Sequence, residues 1–324
     1  MQPFGKMRIL SRRLFMSGAA SGLSTSLLAS SLSGAFESRS QSCADVPVGA
    51  CDAHVHVVGD PREYPMWAHR DYTPPAATAH SLERALDNLC FERAIIVTPS
   101  IYGNNNRVTT DAIATLGRDR ARGIASIDRA APASLLDSLK AAGIVGVRLF
   151  FGGEGFDVGN ERRRIRAYFD LAAARGWNID ISAPPDATAE LLTYLITSPV
   201  PLVFDYFGWI AGGTEQRGFE AVRSLVGSGR AYVKLSEPYR LSKSPPNYGD
   251  LVPVVRAYIA ANPEGVLWGS GWPHVDSSAG RGKVASNIAV TNRHLLELLD
   301  SWVPDERTRR QILVQNPARL YGFV

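Results

Sequence analysis

Cysteine is scarce in this 324-residue chain: Cys43, Cys51 and Cys90 are the only three, and their spacing makes neither a metal-ligand set nor a disulfide framework. A Cys43–Cys51 bridge and free, buried thiols both fit that count. An excess of one charge is missing too. Residues 1–40 hold five basic side chains (Lys6, Arg8, Arg12, Arg13, Arg39) and one acid, Glu37; setting them aside from the 35 basic and 31 acidic residues leaves 30 of each. A neutral body argues against nucleic acid as a partner, because that partner is held by a basic surface. No stretch supplies the roughly 20 predominantly apolar residues of a bilayer span. No Gly-rich phosphate turn follows the first apolar run, which weighs against an open doubly wound sheet. No internal repeat shows, and low complexity is confined to the amino-terminal segment.

What is present begins with that segment. "SRRLFM" sets Arg12 and Arg13 ahead of a mildly apolar, Ser- and Gly-rich stretch, "MSGAASGLSTSLLASSLSGA". The arrangement resembles a bacterial twin-arginine signal. The expectation is a signal peptide and linker over residues 1–42, export to the periplasm, and no stable membrane association after cleavage. Residues 43–324 are expected to form a single domain.

In that domain short β-rich runs alternate with amphipathic ones. The runs are "DAHVHVV", "RAIIVTP", "ARGIASI", "VGVRLFF", "WNIDISA", "PLVFDYF", "AYVKLSE" and "GVLWGSG". Eight strand candidates with helical segments between them predict a parallel sheet closed as a (β/α)8 TIM barrel, an α/β fold. Active sites of that fold lie at the C-terminal strand ends. Those ends carry His54, His56, Arg148, Ser182, Asp205, Tyr206, Glu237 and the "GSGWPH" run. The aromatic loop "EYPMWAHRDYTP" is suited to covering the mouth.

The chain has only six histidines, yet His54 and His56 stand two apart in the first run. Residues i and i+2 of a strand share a face, so both imidazoles project into one space. As a pair they suit metal ligation or carbonyl polarisation. A zinc site needs three or four protein ligands, and the fifth and sixth runs add no histidine.

The ordered motifs "DAHVHV", "GVRLFF", "VKLSEPYRLS", "VLWGSGWPH" and "NPARLYGF" resemble the amidohydrolase superfamily. The resemblance is greatest to its branch of 2-pyrone-4,6-dicarboxylate lactonase-like enzymes, which also holds sulfomuconolactone hydrolases and sugar-lactone isomerases. It implies an enzyme that opens a small anionic lactone by water attack, with zinc or with no metal at all. His54, His56 and His274 would polarise the carbonyl, and Arg148 and Arg240 would hold the anion. Four positions depart from the pattern. Gly271 stands where the family's water-activating aspartate is expected, and Tyr206 replaces a histidine. Ser182 and Trp209 stand where the pyrone lactonase has a tyrosine and an arginine, and are expected to contact substrate. Glu237, just beyond the seventh strand, is the candidate for the missing base, against the simpler reading that it pairs with Arg240. Tyr206 would donate to the developing oxyanion.

Lactone isomerisation and a degenerate barrel that only binds an organic anion are the alternatives to hydrolysis. Lys234 reads as a structural cation paired with Asp205. His69, His80 and His294 read as loop and helix residues, and "ERRRIR" as a solvated helix start.

Overall fold

The alternation of apolar runs is realised strand for strand. In the computed structural model, which describes residue 43, residues 45–153 and residues 155–323, eight parallel strands follow one another around a barrel. They are β1 (Cys51–Val55), β2 (Arg93–Val97), β3 (Ala121–Ala125), β4 (Ile144–Phe150), β5 (Asn178–Ser182), β6 (Leu202–Phe204), β7 (Ala231–Ser236) and β8 (Val266–Gly269). Ladders join each neighbouring pair from β1 to β8. The ring is completed where β8 runs out: Gly271 N–H donates to the His54 carbonyl (2.9 Å) and His56 N–H to the Trp272 carbonyl (2.8 Å). The seam therefore lies at the paired histidines. The buried Asp52 carboxylate also spans it, accepting from the N–H groups of Ser270 (2.9 Å) and His54 (3.2 Å).

A helix follows every strand: α1 (Ala79–Leu89), α2 (Arg107–Leu116), α3 (Ala133–Ala141), α4 (Val158–Ala173), α5 (Pro185–Leu195), α6 (Phe219–Gly227), α7 (Val252–Ala261) and α8 (Asn292–Trp302). Their sequences show why. In α1, Thr78 caps the first turn by accepting from Ser81 N–H, and Leu82, Leu86 and Leu89 recur on one buried face. The helix stops at Cys90, whose left-handed backbone (φ 61°) ends the hydrogen-bond ladder. Two short helices, α9 (Glu306–Arg310) and α10 (Asn316–Tyr321), finish the chain.

Alternation along the strands sorts the core into two layers. Ala94, Ile96, Leu202, Phe204, Val266 and Trp268 pack outward into the large cluster shared with the helices. Their neighbours Ile95, Val97, Ile124, Val203 and Leu267 point inward and meet Tyr321 and Phe323 from the C-terminus. The barrel is thus plugged with apolar side chains below and leaves its polar residues for the opposite end.

One sequence expectation is corrected here. Cys43 bonds to Cys90, not to Cys51 (Cα–Cα 5.5 Å). Cys51, the first residue of β1, is free and buried in the inner cluster, whereas Cys90 ends α1 where the incoming chain passes. The leader, residues 1–42, lies outside the described residues. Among the described residues no helix is long and apolar enough to cross a membrane.

Candidate active site

Above the apolar plug the inner face turns abruptly ionic. Asp180 on β5, Lys234 on β7 and Asp205 just after β6 are fully buried, and the Lys234 ammonium sits between both carboxylates, paired with Asp180 and 3.1 Å from Asp205 Oδ1. Arg148 on β4 closes the other side, donating to Asp205 Oδ2 at 2.9 Å and to the Tyr206 hydroxyl at 2.8 Å. Buried charges are tolerable only when paired in this way. Burial opposes the charge on Lys234, but the two aspartates outweigh it and raise its pKa. Burial likewise works against ionised Asp205, yet Lys234, Arg148 and His54 hold its pKa well below the usual carboxylate value. Asp180, whose burial is offset mainly by Lys234, is pushed up to about 6. The Lys234–Asp205 pair matches the sequence reading. Asp180 was missed, although a lone acid in the buried run "NIDIS" demands a buried partner.

The two histidines rest on this layer. His56 Nδ1 lies 2.7 Å from the Val97 carbonyl, an acceptor only, so Nδ1 carries the proton and Nε2 keeps its lone pair. His54 Nδ1 faces Asp205 Oδ1 at 3.2 Å and Lys234 Nζ at 3.3 Å. His54 Nδ1 thus lies between a donor, Lys234, and an acceptor, Asp205, and Nε2 points toward Glu237 Oε1, 3.7 Å away. Neither His54 Nε2 nor Glu237 Oε1 has a hydrogen-bond partner, though both are buried. Burial lowers the pKa of both imidazoles, which keeps them neutral and able to donate electron pairs. Ligand atoms of His54, His56 and Glu237 all lie within 4.8 Å of one another. Two imidazole nitrogens and a carboxylate oxygen converge here, with His54 Nε2 and Glu237 Oε1 unpartnered, and fit a divalent cation.

Backbone strain gathers at the same rim. Tyr206, Phe207 and Trp209 after β6, Glu237 after β7 and His274 after β8 all have left-handed φ values between 52° and 62°. Such conformations cost non-glycine residues about 1–2 kcal/mol each and persist where surrounding contacts enforce them. At Glu237 the turn folds the side chain back over the mouth, where Oε2 pairs with Arg240 Nε and Oε1 is left toward His54. Arg240 also donates to Ser277 Oγ at 2.6 Å. Its guanidinium lies 5.4 Å from the Tyr206 ring centre, and that of Arg148 lies 5.8 Å from it. Arg148 Nε is buried without a hydrogen-bond partner. Ser182 and Trp209 meet directly, indole N–H to Oγ at 3.0 Å, beside Tyr206.

The structure thus brings together His54, His56, Glu237, Tyr206, Arg148 and Arg240. His274 stands beside that group, joined to it through Tyr239 and within electrostatic reach of Glu237 and Arg240. The His274 ring is held by Asn292 Oδ1 (2.5 Å) on Nε2 and by the Tyr239 hydroxyl (3.3 Å) on Nδ1, beside a surface groove. His80 and His294 are helical, as read from the sequence.

The matching relatives share this architecture. The family model described as Amidohydrolase matches residues 51–323. A 4-sulfomuconolactone hydrolase from Rhizobium radiobacter is 31% identical over 281 residues, spanning 86% of this chain and 92% of that protein. A 2-pyrone-4,6-dicarboxylate hydrolase from Comamonas testosteroni is 29% identical, spanning 85% and 91%. Among solved structures, a probable 2-pyrone-4,6-dicarboxylic acid hydrolase from Acinetobacter baumannii with citric acid bound superposes with a TM-score of 0.74 at 27% identity, covering 85% of this chain and all of that one. Matched from its first strand to its last helix, the chain belongs to the amidohydrolase family.

Proposed function

We propose that this enzyme hydrolyses a small anionic lactone, its ring bearing carboxylate or sulfonate groups. The observation that carries this reading is the meeting of two kinds of side chain at one barrel mouth. His54, His56 and Glu237 present unshared electron pairs, and Arg148 presents an unpartnered guanidinium N–H from the same buried layer. The hydrolase names of the relatives at 31% and 29% identity, and citric acid in the neighbouring structure, support an anionic ester substrate.

Each residue then has a task. Arg148, charged despite burial because Tyr206 and Asp205 face it, holds one anionic group of the lactone through Nε. Arg240 holds a second, its own position fixed by Glu237 and Ser277. Glu237 Oε1 takes a proton from water as the water oxygen attacks the lactone carbonyl. The tetrahedral oxyanion is met by the Tyr206 hydroxyl, whose pKa burial raises so that it stays protonated and donating. Collapse breaks the ring C–O bond, Glu237 returns its proton to the leaving oxygen, and the new carboxylic acid releases its own proton to solvent to become a carboxylate. His54 and His56 would hold a divalent ion, zinc by donor type, which when bound would supply Lewis-acid polarisation of water or carbonyl oxygen, with Glu237 Oε1 beside them kept as the base. Trp209 and Ser182, tied to each other, form a firm wall beside the ring.

A panel of lactones in a pH-stat tests this reading. Hydrolysis releases one acid equivalent per ring opened, while isomerisation and simple binding release none. Acid release from a di-anionic lactone, with neutral analogues turned over poorly, is the expected result; consumption without acid release would overturn it.

A further inference from the structure

The atoms that would carry the reaction are shut away from water. Glu237 Oε1, Arg148 Nε and His54 Nε2 are all buried, and the apolar plug closes the barrel from below. A lactone reaches them only if part of the mouth moves. Two loops cover it, residues 56–78 after β1 and residues 270–291 after β8. Both are longer than the roughly 12–15 residues beyond which a connection commonly serves as a lid or binding loop. The first carries Tyr72, which bonds to Ser100 and lies in the field of Arg240, Glu237 and Arg148. The second carries Ser277, which accepts from Arg240 Nη1 at 2.6 Å.

Each loop is closed on itself at its base. Beneath the first, Val58 and Ala77 exchange two backbone hydrogen bonds of 2.8 and 2.7 Å. Beneath the second, Asp276 N–H donates to the Ser286 carbonyl (2.9 Å) and Ile288 N–H to the His274 carbonyl (2.7 Å), about the bridge between Val275 and Asn287. The two loops meet at one seam. Thr73 N–H donates to the Lys283 carbonyl at 3.1 Å, and the Thr73 carbonyl accepts from Ala285 N–H at 2.8 Å. Beside the seam Arg281 stands 3.9 Å from Asp71, and an ion pair more than half exposed on both sides holds little. Gly280 and Gly282 flank Arg281 with φ of 88° and 75° and open space around them.

We propose that these loops are two flaps, hinged on their basal bridges, that part along the Thr73–Val284 seam to admit the lactone and close again over it. The inference rests on the hydrolytic reading above for the place of the site. Lifting the second flap also withdraws Ser277 from Arg240, so the guanidinium assigned to the substrate anion is released as the way in opens. Closure then shields the reacting atoms from bulk water.

Joining the seam tests this without a substrate. Thr73→Cys with Val284→Cys places two thiols at bridge partners, and Val284 is 77% exposed, so a cysteine there disturbs no packing. The readout is the rate at which diethyl pyrocarbonate, a small neutral acylating reagent, labels His54, followed by mass spectrometry. Chelator is present so that no metal ion covers the ring, and exposed His80 is the control. The reduced double variant should label at the wild-type rate. Oxidation should slow His54 by about tenfold or more and leave His80 unchanged, because a buried group is labelled only through its open form. Reduction should restore the rate, with the wild type taken through the same cycle for comparison. His54 that labels equally in the oxidised and reduced forms, or not at all in the wild type, would overturn the proposal. Should no disulfide form, a short bis-maleimide joins the same cysteines, and the same slowing is expected. Lactone hydrolysis is a separate readout. Gated labelling in a chain that opens no lactone keeps the flaps and loses the hydrolytic reading, while undiminished lactone opening by the cross-linked form does the reverse.

Discussion

Asp205 ties the two halves of the site together, with one carboxylate oxygen toward His54 and Lys234 and the other on Arg148. It is a positioning residue, acting on substrate only through its neighbours. Asp205→Asn keeps the shape but loses the charge that favours His54 in its Nδ1–H form. Turnover should fall about 10–100-fold, the loss typical of an outer-shell partner, and ¹H–¹⁵N spectra should show His54 moving toward the Nε2–H tautomer. Asp180→Asn, which touches Lys234 and not His54, should leave that tautomer in place; identical spectra in the two variants would contradict the assignment. Arg148→Met removes the unpartnered donor. A charge-assisted hydrogen bond contributes about 1.5–3 kcal/mol, so KM should rise roughly ten- to a hundredfold, and an unchanged KM in folded protein would place Arg148 outside the binding site. At this scale the sequence was informative where strand period alone fixes direction, as for His54 and His56. It was uninformative where a turn decides: nothing in "GSGWPH" shows that His274 is left-handed and held between Tyr239 and Asn292.

Each of the eight strands could be read as an apolar run, because a buried parallel strand is apolar on both faces. The helices were legible wherever a 3.6-residue stripe was clear, as in α1. Others carried weaker signals: α2, "RVTTDAIATL", mixes β-branched and polar residues and is placed by tertiary packing of Val108, Ala112, Ile113 and Leu116. Disulfide pairing could not be read, since three cysteines allow three bridges and only their spatial approach selects among them. The Cys43–Cys90 bond anchors the chain entering β1 to the end of α1, across 47 residues of sequence. In the chain-entropy account a loop of that length contributes on the order of 4 kcal/mol. Cys90→Ser should therefore melt several degrees below the wild type, and reductant should lower the wild type to the same point. A melting temperature indifferent to reductant would mean the bond holds nothing in place.

Across the whole molecule, the disulfide at the entry to the barrel fits the proposal that the amino-terminal segment is a twin-arginine signal leading to an oxidising compartment. If the leader is read as proposed, changing Arg12 and Arg13 together to Lys should retain the protein in the cytoplasm; undiminished periplasmic protein, measured by fractionation, would reject it. The barrel itself places the chemistry. Apolar plug, ionic layer and orphaned ligand atoms succeed one another along a single axis, and the substrate can meet the last of these only from the mouth. Everything proposed for the reaction then depends on one carboxylate carried by β7. The most direct measurement is steady-state lactone hydrolysis by Glu237→Gln, which keeps size and hydrogen bonding but accepts no proton at neutral pH. Turnover should fall about 10²–10⁴-fold with KM nearly unchanged, the signature of a lost general base. Turnover equal to that of the wild type would contradict the account.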